Sequence, residues 1–125
     1  MTYTGLVHLY RKPEASPKAF QEYFEQNEIP ILKAIGGEHF PISHKRIYLK
    51  RSEEGNRELE LHSGKQEDFP YDAVVLMEFE SKEHATKFLS MTHEPEHLKA
   101  FDHPLMPDRT KSVSVIIDRI YETTR

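Results

Sequence analysis

Three polar side chains stand at alternate positions of one short segment: His44, Arg46 and Tyr48. If the segment is a strand, the period-two rule places them on one face with Ile42 and Lys50 and leaves Ile47 and Leu49 on the other. Arg supplies a fixed charge and planar donors, Tyr a phenolic donor, and His a group that ordinarily titrates near neutrality. Together they suit a phenolate, a carboxylate or a polarised carbonyl. A solvent-facing edge strand would carry the same residues, so the pattern alone leaves both readings open. His8 is a second candidate for moving a proton, with Leu6 and Tyr10 on its face. A histidine so placed is also a common packed core residue. Glu78 interrupts a third apolar segment. Buried, its carboxyl would be raised into the acid/base range; on a rim it would do no chemistry.

One further pattern points to chemistry that the chain does not support. His93-Glu94-Pro95-Glu96-His97 matches the HExxH motif of zinc peptidases, which needs both histidines on one continuous helix. Pro95 belongs at the first turn of a new helix, which leaves His93 outside it. No third ligand follows at a recognised spacing. Neither a metal nor a cofactor is expected. The nucleophile elbow, the P-loop and the dinucleotide-binding glycine motif are absent, and the eight histidines show no spacing diagnostic of haem.

The elements that must position these groups follow from periodicity and capping. Residues 3–11 alternate and are rich in β-formers, predicting a first strand. Ser16 is a good N-cap and Pro17 suits the first helical position. Phe20, Tyr23 and Phe24 then form one apolar helical face, and Pro30 is expected to break or kink the helix. Ile31, Leu32 and Ile35 continue it to Gly36-Gly37. The polar strand spans 42–51. A long irregular stretch, 52–71, is either a cover over a binding site or a solvated loop. Asp72 to Glu80 reads as a strand covered on both sides, and Ser81 caps a helix over 82–92. A helical turn at 96–101 and a β-branched strand from Val113 to Ile117 complete the chain. Asp108 and Arg109, just before that strand, read as a pair bracing the loop. The order β-α-β-β-α-β is the ferredoxin-like split βαβ arrangement. Its fold class is α+β: a four-stranded antiparallel sheet with the helices on one face. The other face needs cover, which a second copy supplies in a dimeric α+β barrel.

The 125 residues form one domain with no boundary, spanning 1–125. A formal charge of −4 leaves no basic stripe for nucleic acid. The absence of cysteine excludes disulfides and a Cys nucleophile. Met1 to Thr4 leads straight into a strand with no signal-peptide core, and no apolar run approaches the ~20 residues that span a bilayer. The expected location is the cytoplasm.

Across almost its whole length the chain resembles the EthD family of dimeric α+β barrels. The resemblance rests on Leu9-Tyr10-Arg11-Lys12, Ser16-Pro17 with Phe20 and Tyr23, and Pro30 with Ile31-Leu32. It continues through Gly37, Phe40-Pro41, His44, Arg46, Tyr48, Arg51, Gly64, Asp72 and Phe79 to Asp108-Arg109 and Lys111. It implies a ligand cavity between sheet and helices in each subunit, and metal-free lyase or cyclase chemistry on aromatic or polyketide-like substrates. Two positions depart from the family. Many members carry His two residues before the Pro of the first helix, where this chain has Glu28. Many also carry an acid in the third strand, where this chain has Leu76. Glu28 replaces that His as an acid/base only if its pKa is raised.

The reading that follows is a homodimeric, cofactor-independent enzyme acting on a small aromatic or hydrophobic molecule by dehydration, decarboxylation or cyclisation. His44, His8 and Glu28 are its catalytic candidates. Arg46 and Tyr48 would stabilise an enolate or phenolate, and Tyr10, Tyr23 and Phe24 would line the substrate pocket. A non-catalytic binding or accessory protein of a degradation or secondary-metabolite pathway is the alternative.

Overall fold

A computed structural model describes residues 2–125; Met1 lies outside them. Four strands, β1 (Tyr3–Leu9), β2 (Ser43–Tyr48), β3 (Ala73–Phe79) and β4 (Val113–Ile117), form one antiparallel sheet in the order β2-β3-β1-β4. This is the expected ferredoxin-like arrangement. β1 pairs with β3 over its whole length, from Tyr3 opposite Phe79 to Leu9 opposite Ala73. β2 pairs with β3 so that His44, Arg46 and Tyr48 stand opposite Met77, Val75 and Ala73. Opposed residues share a face, so the polar triplet lies with Val75 and Ala73, which are 3% and 0% exposed. β2 is therefore an edge strand, with its His-Arg-Tyr face turned toward the helices.

Near Pro30, where a break or kink is expected, the first helical run changes register and continues as a second helix. α1 (Pro17–Tyr23), capped by the Ser16 side chain on the Ala19 N–H, passes into a π turn over Phe24–Glu28 and then into α2 (Ile29–Gly36). The Ile29 N–H bonds to the Phe24 carbonyl, and the missing donor of Pro30 falls where the ladder changes register. This wide turn has a consequence for packing. Phe20, Phe24, Glu28, Leu32 and Gly36 recur every fourth residue, and in a pure α-helix such a row drifts by about 40° per step. The π turn takes back part of that drift. Phe20 (1% exposed), Phe24 (2%), Glu28 (9%) and Gly36 are all buried, so a carboxylate is carried into the apolar row. Gly37, at φ 53°, then ends the run.

α3 (Lys82–Thr92) is capped by Ser81 and buries Ala85, Phe88 and Thr92. The core lies between the sheet and these helices, around Leu9, Phe20, Phe24, Ala73 and Val75 on one side and Phe79, Ala85 and Phe88 on the other. A short α4 (Pro95–Leu98) follows, with Glu94 as its N-cap, while His93 caps the end of α3. The two histidines of the HExxH pattern thus belong to different helices. No helix among the described residues is long and apolar enough to cross a membrane.

The sheet face away from the helices has little cover. Ile47, Val113 and Val115 are 49%, 54% and 57% exposed, and Leu6 stands opposite Val115 on the same face. His8 is on this face too, stacked on Tyr71 at 3.8 Å. The stretch between β2 and β3 is ordered by Arg51, which donates to the Phe69 and Tyr71 carbonyls, and by a Gln66–Leu59 exchange of hydrogen bonds. It does not cover the space between sheet and helices. Its Tyr71 lies on the other side, against His8.

Candidate functional site

A cavity of about 450 Å3 opens between the sheet and the helices, within the ordinary size range of small-molecule sites. β1 and β3 floor it with Tyr3, Val7, Leu9, Val75, Met77 and Phe79. The helical run supplies Phe24, Glu28 and Leu32, and α3 supplies Ala85, Phe88 and Thr92. His44 reaches it from β2, and Phe101 and Arg109 from the segment before β4. Three of the sequence candidates, Glu28, His44 and Phe24, therefore share one space. The others do not line it. His8 and Glu78 lie on the opposite sheet face, Tyr23 stacks on His103 at 4.2 Å, and Tyr10 is tied through its carbonyl to the Asp108 N–H.

Glu28 is the most distinctive group in the cavity. Among the described residues nothing hydrogen-bonds its carboxylate. Burial raises its pKa from the ordinary carboxylate value to about 7, against a smaller lowering by the charge of Arg109. Its proton is thus shared near neutrality, as an acid/base requires.

His44 is moved the opposite way. Burial, with the neighbouring Arg46 charge, lowers its pKa to about 4, so it does not titrate near neutrality as its residue type would suggest. The neutral ring has a definite tautomer. Arg46 Nη1 lies 3.2 Å from Nδ1, and a guanidinium can only donate, so Nδ1 accepts and Nε2 carries the hydrogen. No described residue bonds Nε2. The ring stacks on Phe40, which presents that N–H as a fixed donor.

Arg46 and Tyr48, expected to meet a ligand oxyanion, are already engaged. Glu25 accepts from Arg46 Nε at 2.9 Å, from Arg46 Nη2 at 2.7 Å and from the Tyr48 hydroxyl. The Arg46 fork holds the Glu25 carboxyl below its ordinary range. Burial and the bond to Glu25 push the Tyr48 phenol well above its own. This cluster borders a second, open hollow lined by Gln21, Lys45 and Ile47. His44 lines both spaces, so the cluster orients the histidine rather than facing the main cavity.

The sequence reading also gave one residue the wrong partner. Arg109 does not brace Asp108, whose Oδ1 instead accepts from the Thr110 N–H and hydroxyl. The guanidinium lies over the Phe101 ring, 4.7 Å from its centre, at the cavity. Nothing in the local sequence signals this. Glu28, by contrast, is named from the family resemblance, and its four-residue spacing to Phe20 and Phe24 points to it as well. As for metals, the exposed Glu94 and Glu96 and the part-buried His97 bring one ligating atom each within 4.8 Å of one another, but none of them lines the cavity.

Solved structures share this architecture. An EthD family protein from Bacillus halodurans is 14% identical, with 94% of this chain and 99% of that one covered at a TM-score of 0.55. An EthD-like protein from Ralstonia eutropha is 14% identical, covering 98% and 96% at 0.61. A dimeric ferredoxin-like protein of unknown function from Jannaschia is 13% identical, covering 95% and 100% at 0.53. At these identities the likeness is one of fold. No curated protein matches the chain. Residues 12–112 match the EthD domain, and the chain belongs to the EthD family.

Proposed function

We propose that this chain is a cofactor-independent lyase-type enzyme that enolises an aromatic or polyketide-like carbonyl compound in the cavity, with Glu28 as the acid/base. The observation that carries this is the buried Glu28 carboxyl, with no hydrogen-bonding partner among the described residues, on the cavity wall it shares with Phe24, Phe79 and Phe88. As carboxylate, Glu28 takes a proton from the carbon beside the substrate carbonyl. The C–H electron pair forms the enolate double bond, and charge collects on the carbonyl oxygen. The Nε2–H of His44 donates to that oxygen; being neutral, it stabilises the enolate without first giving up its own proton. The protonated Glu28 then returns its proton, either to carbon or to a departing β-hydroxyl, which leaves as water. Phe24, Phe79 and Phe88 supply the apolar walls for a ring system.

The working unit is a homodimer. The exposed Ile47, Val113 and Val115 on the open sheet face favour it, as does a similar fold described as dimeric. Sedimentation is expected to give a dimer; a monomer at micromolar concentration would remove this part.

Enolisation is testable without the native substrate. 2-Tetralone exchanges its activated C–H for deuterium in D2O, followed by proton NMR. The protein is expected to accelerate exchange with a rate that rises through pH 7, as Glu28 loses its proton, and Glu28→Gln to abolish the acceleration. Equal exchange by both proteins would refute the role of Glu28. If tetralone binds both but neither accelerates exchange, the chain is a binding or accessory protein instead.

A further inference from the structure

Polar groups are unevenly placed along the cavity. Its inner wall, with Phe24, Glu28, Phe79 and Phe88, is buried. Its exposed lining residues form two banks, Thr86, Leu89 and His93 on α3 and at its end, and Arg109, Ser112, Ser114, Val115 and Ile116 in and before β4. The mouth lies between them. Among the described lining residues Arg109 is the sole lysine or arginine and Glu28 the sole carboxylate, one outside and one within.

Arg109 is held ready there. Its guanidinium lies over Phe101, and among the described residues nothing accepts a hydrogen bond from its N–H groups. Among the described residues no carboxylate lies within ion-pair distance of it, although the chain carries 21 acidic residues. The adjacent Asp108 is turned to Thr110 instead. An open, planar fork matches a two-oxygen planar anion. A phosphate would meet only one fixed cation here, with no second lysine or arginine in the lining to balance its charge.

We propose that the ligand is an aromatic carboxylate whose carboxylate group is held by Arg109 at the mouth while its ring body runs inward along Phe88 and Phe79. The carboxylate is a handle, remote from the bond that reacts at Glu28; the proposal deepens the acid/base reading of the cavity and rests on it. Arg109 is then the residue that selects charged over neutral substrates.

The test uses 2-naphthoate and its neutral isostere 2-naphthamide, titrated calorimetrically into the full chain at low salt. The wild type is expected to bind the acid about tenfold more tightly than the amide. Arg109→Gln is expected to remove that preference while leaving amide affinity unchanged. Equal affinities in the wild type, a preference that survives Arg109→Gln, or no naphthoate binding at millimolar concentration would each overturn the proposal. The two readings fail separately. Glu28→Gln should lose exchange yet still prefer naphthoate; Arg109→Gln should lose the preference and exchange the uncharged 2-tetralone with a pH midpoint moved up, because the guanidinium no longer lowers the Glu28 pKa. Lost exchange with an intact preference removes the acid/base role, and the reverse removes the anion handle.

Discussion

Asp72 and Glu28 are buried to almost the same depth, 8% and 9% exposed, yet their surroundings are opposite. Asp72 stands at the start of β3 and is saturated. It accepts from the Arg11 backbone N–H at 2.9 Å and from Arg11 Nε at 3.2 Å. Arg51 Nε lies 2.7 Å from the same oxygen, an ion pair whose N–H points off the line of a hydrogen bond. The Asp72 backbone bonds to Leu9 and Leu49, so the group ties together the ends of β1, β2 and β3. Glu28 faces the cavity and has no hydrogen-bonding partner among the described residues. Burial of a carboxylate held by two arginines is a structural device, whereas a carboxyl buried against a cavity with no arginine to pair it costs stability as it ionises.

The largest test of that contrast is Asp72→Asn. It leaves two buried guanidinium groups without their shared anion and should destabilise the fold by about 3–5 kcal/mol, read by urea unfolding. A loss under about 1 kcal/mol would mean that Asp72 is not the strut described.

Glu28→Gln should do the reverse, and with a pH signature. The folded pKa is raised, so the wild type is at its best below the unfolded value, near 4.5, and loses stability as pH rises to about 7. The variant does not carry this loss. It should be more stable than the wild type by about 3 kcal/mol at pH 8 and nearly equal at pH 4. A variant destabilised at every pH would show instead that the carboxylate holds the fold.

The cavity wall gives a smaller effect. A methyl group on Gly36 would stand 2.7 Å from Phe88 Cε1, so Gly36→Ala should cost about 1–3 kcal/mol and drive Phe88 toward the cavity. Naphthoate affinity should fall with it. Unchanged affinity would place the ligand elsewhere. Smallest of all is Glu25→Gln, which breaks a half-exposed cluster and should cost under about 1 kcal/mol. By removing a nearby negative charge it should also lower the His44 pKa further, visible as a shifted imidazole titration by NMR.

Sequence patterns carried the fold further than the site. Ser16-Pro17, Ser81 and the alternation of the strands define elements by local rules, and the structure follows them closely. The polar face of β2 was also legible, because a period of two is geometry. Its partner was not: Glu25 is on α1's continuation, and only the folded packing brings it to Arg46 and Tyr48. Pro30 misled because its usual cost assumes an unbroken α-ladder, and the π turn beside it removes that assumption. His8 was ambiguous for a related reason, since alternation assigns it a face without saying which face the helices cover. Arg109 was noticed but read as a brace, because its place depends on Phe101 and a cavity built from distant segments.

The central claim is that Glu28 is a poised acid/base, and its titration tests that most directly. Carbon NMR of the side-chain carboxyl, with Glu28→Gln to assign the signal, should show a midpoint near pH 7. A midpoint near 4.5, the ordinary value for a solvated glutamate, would contradict the account.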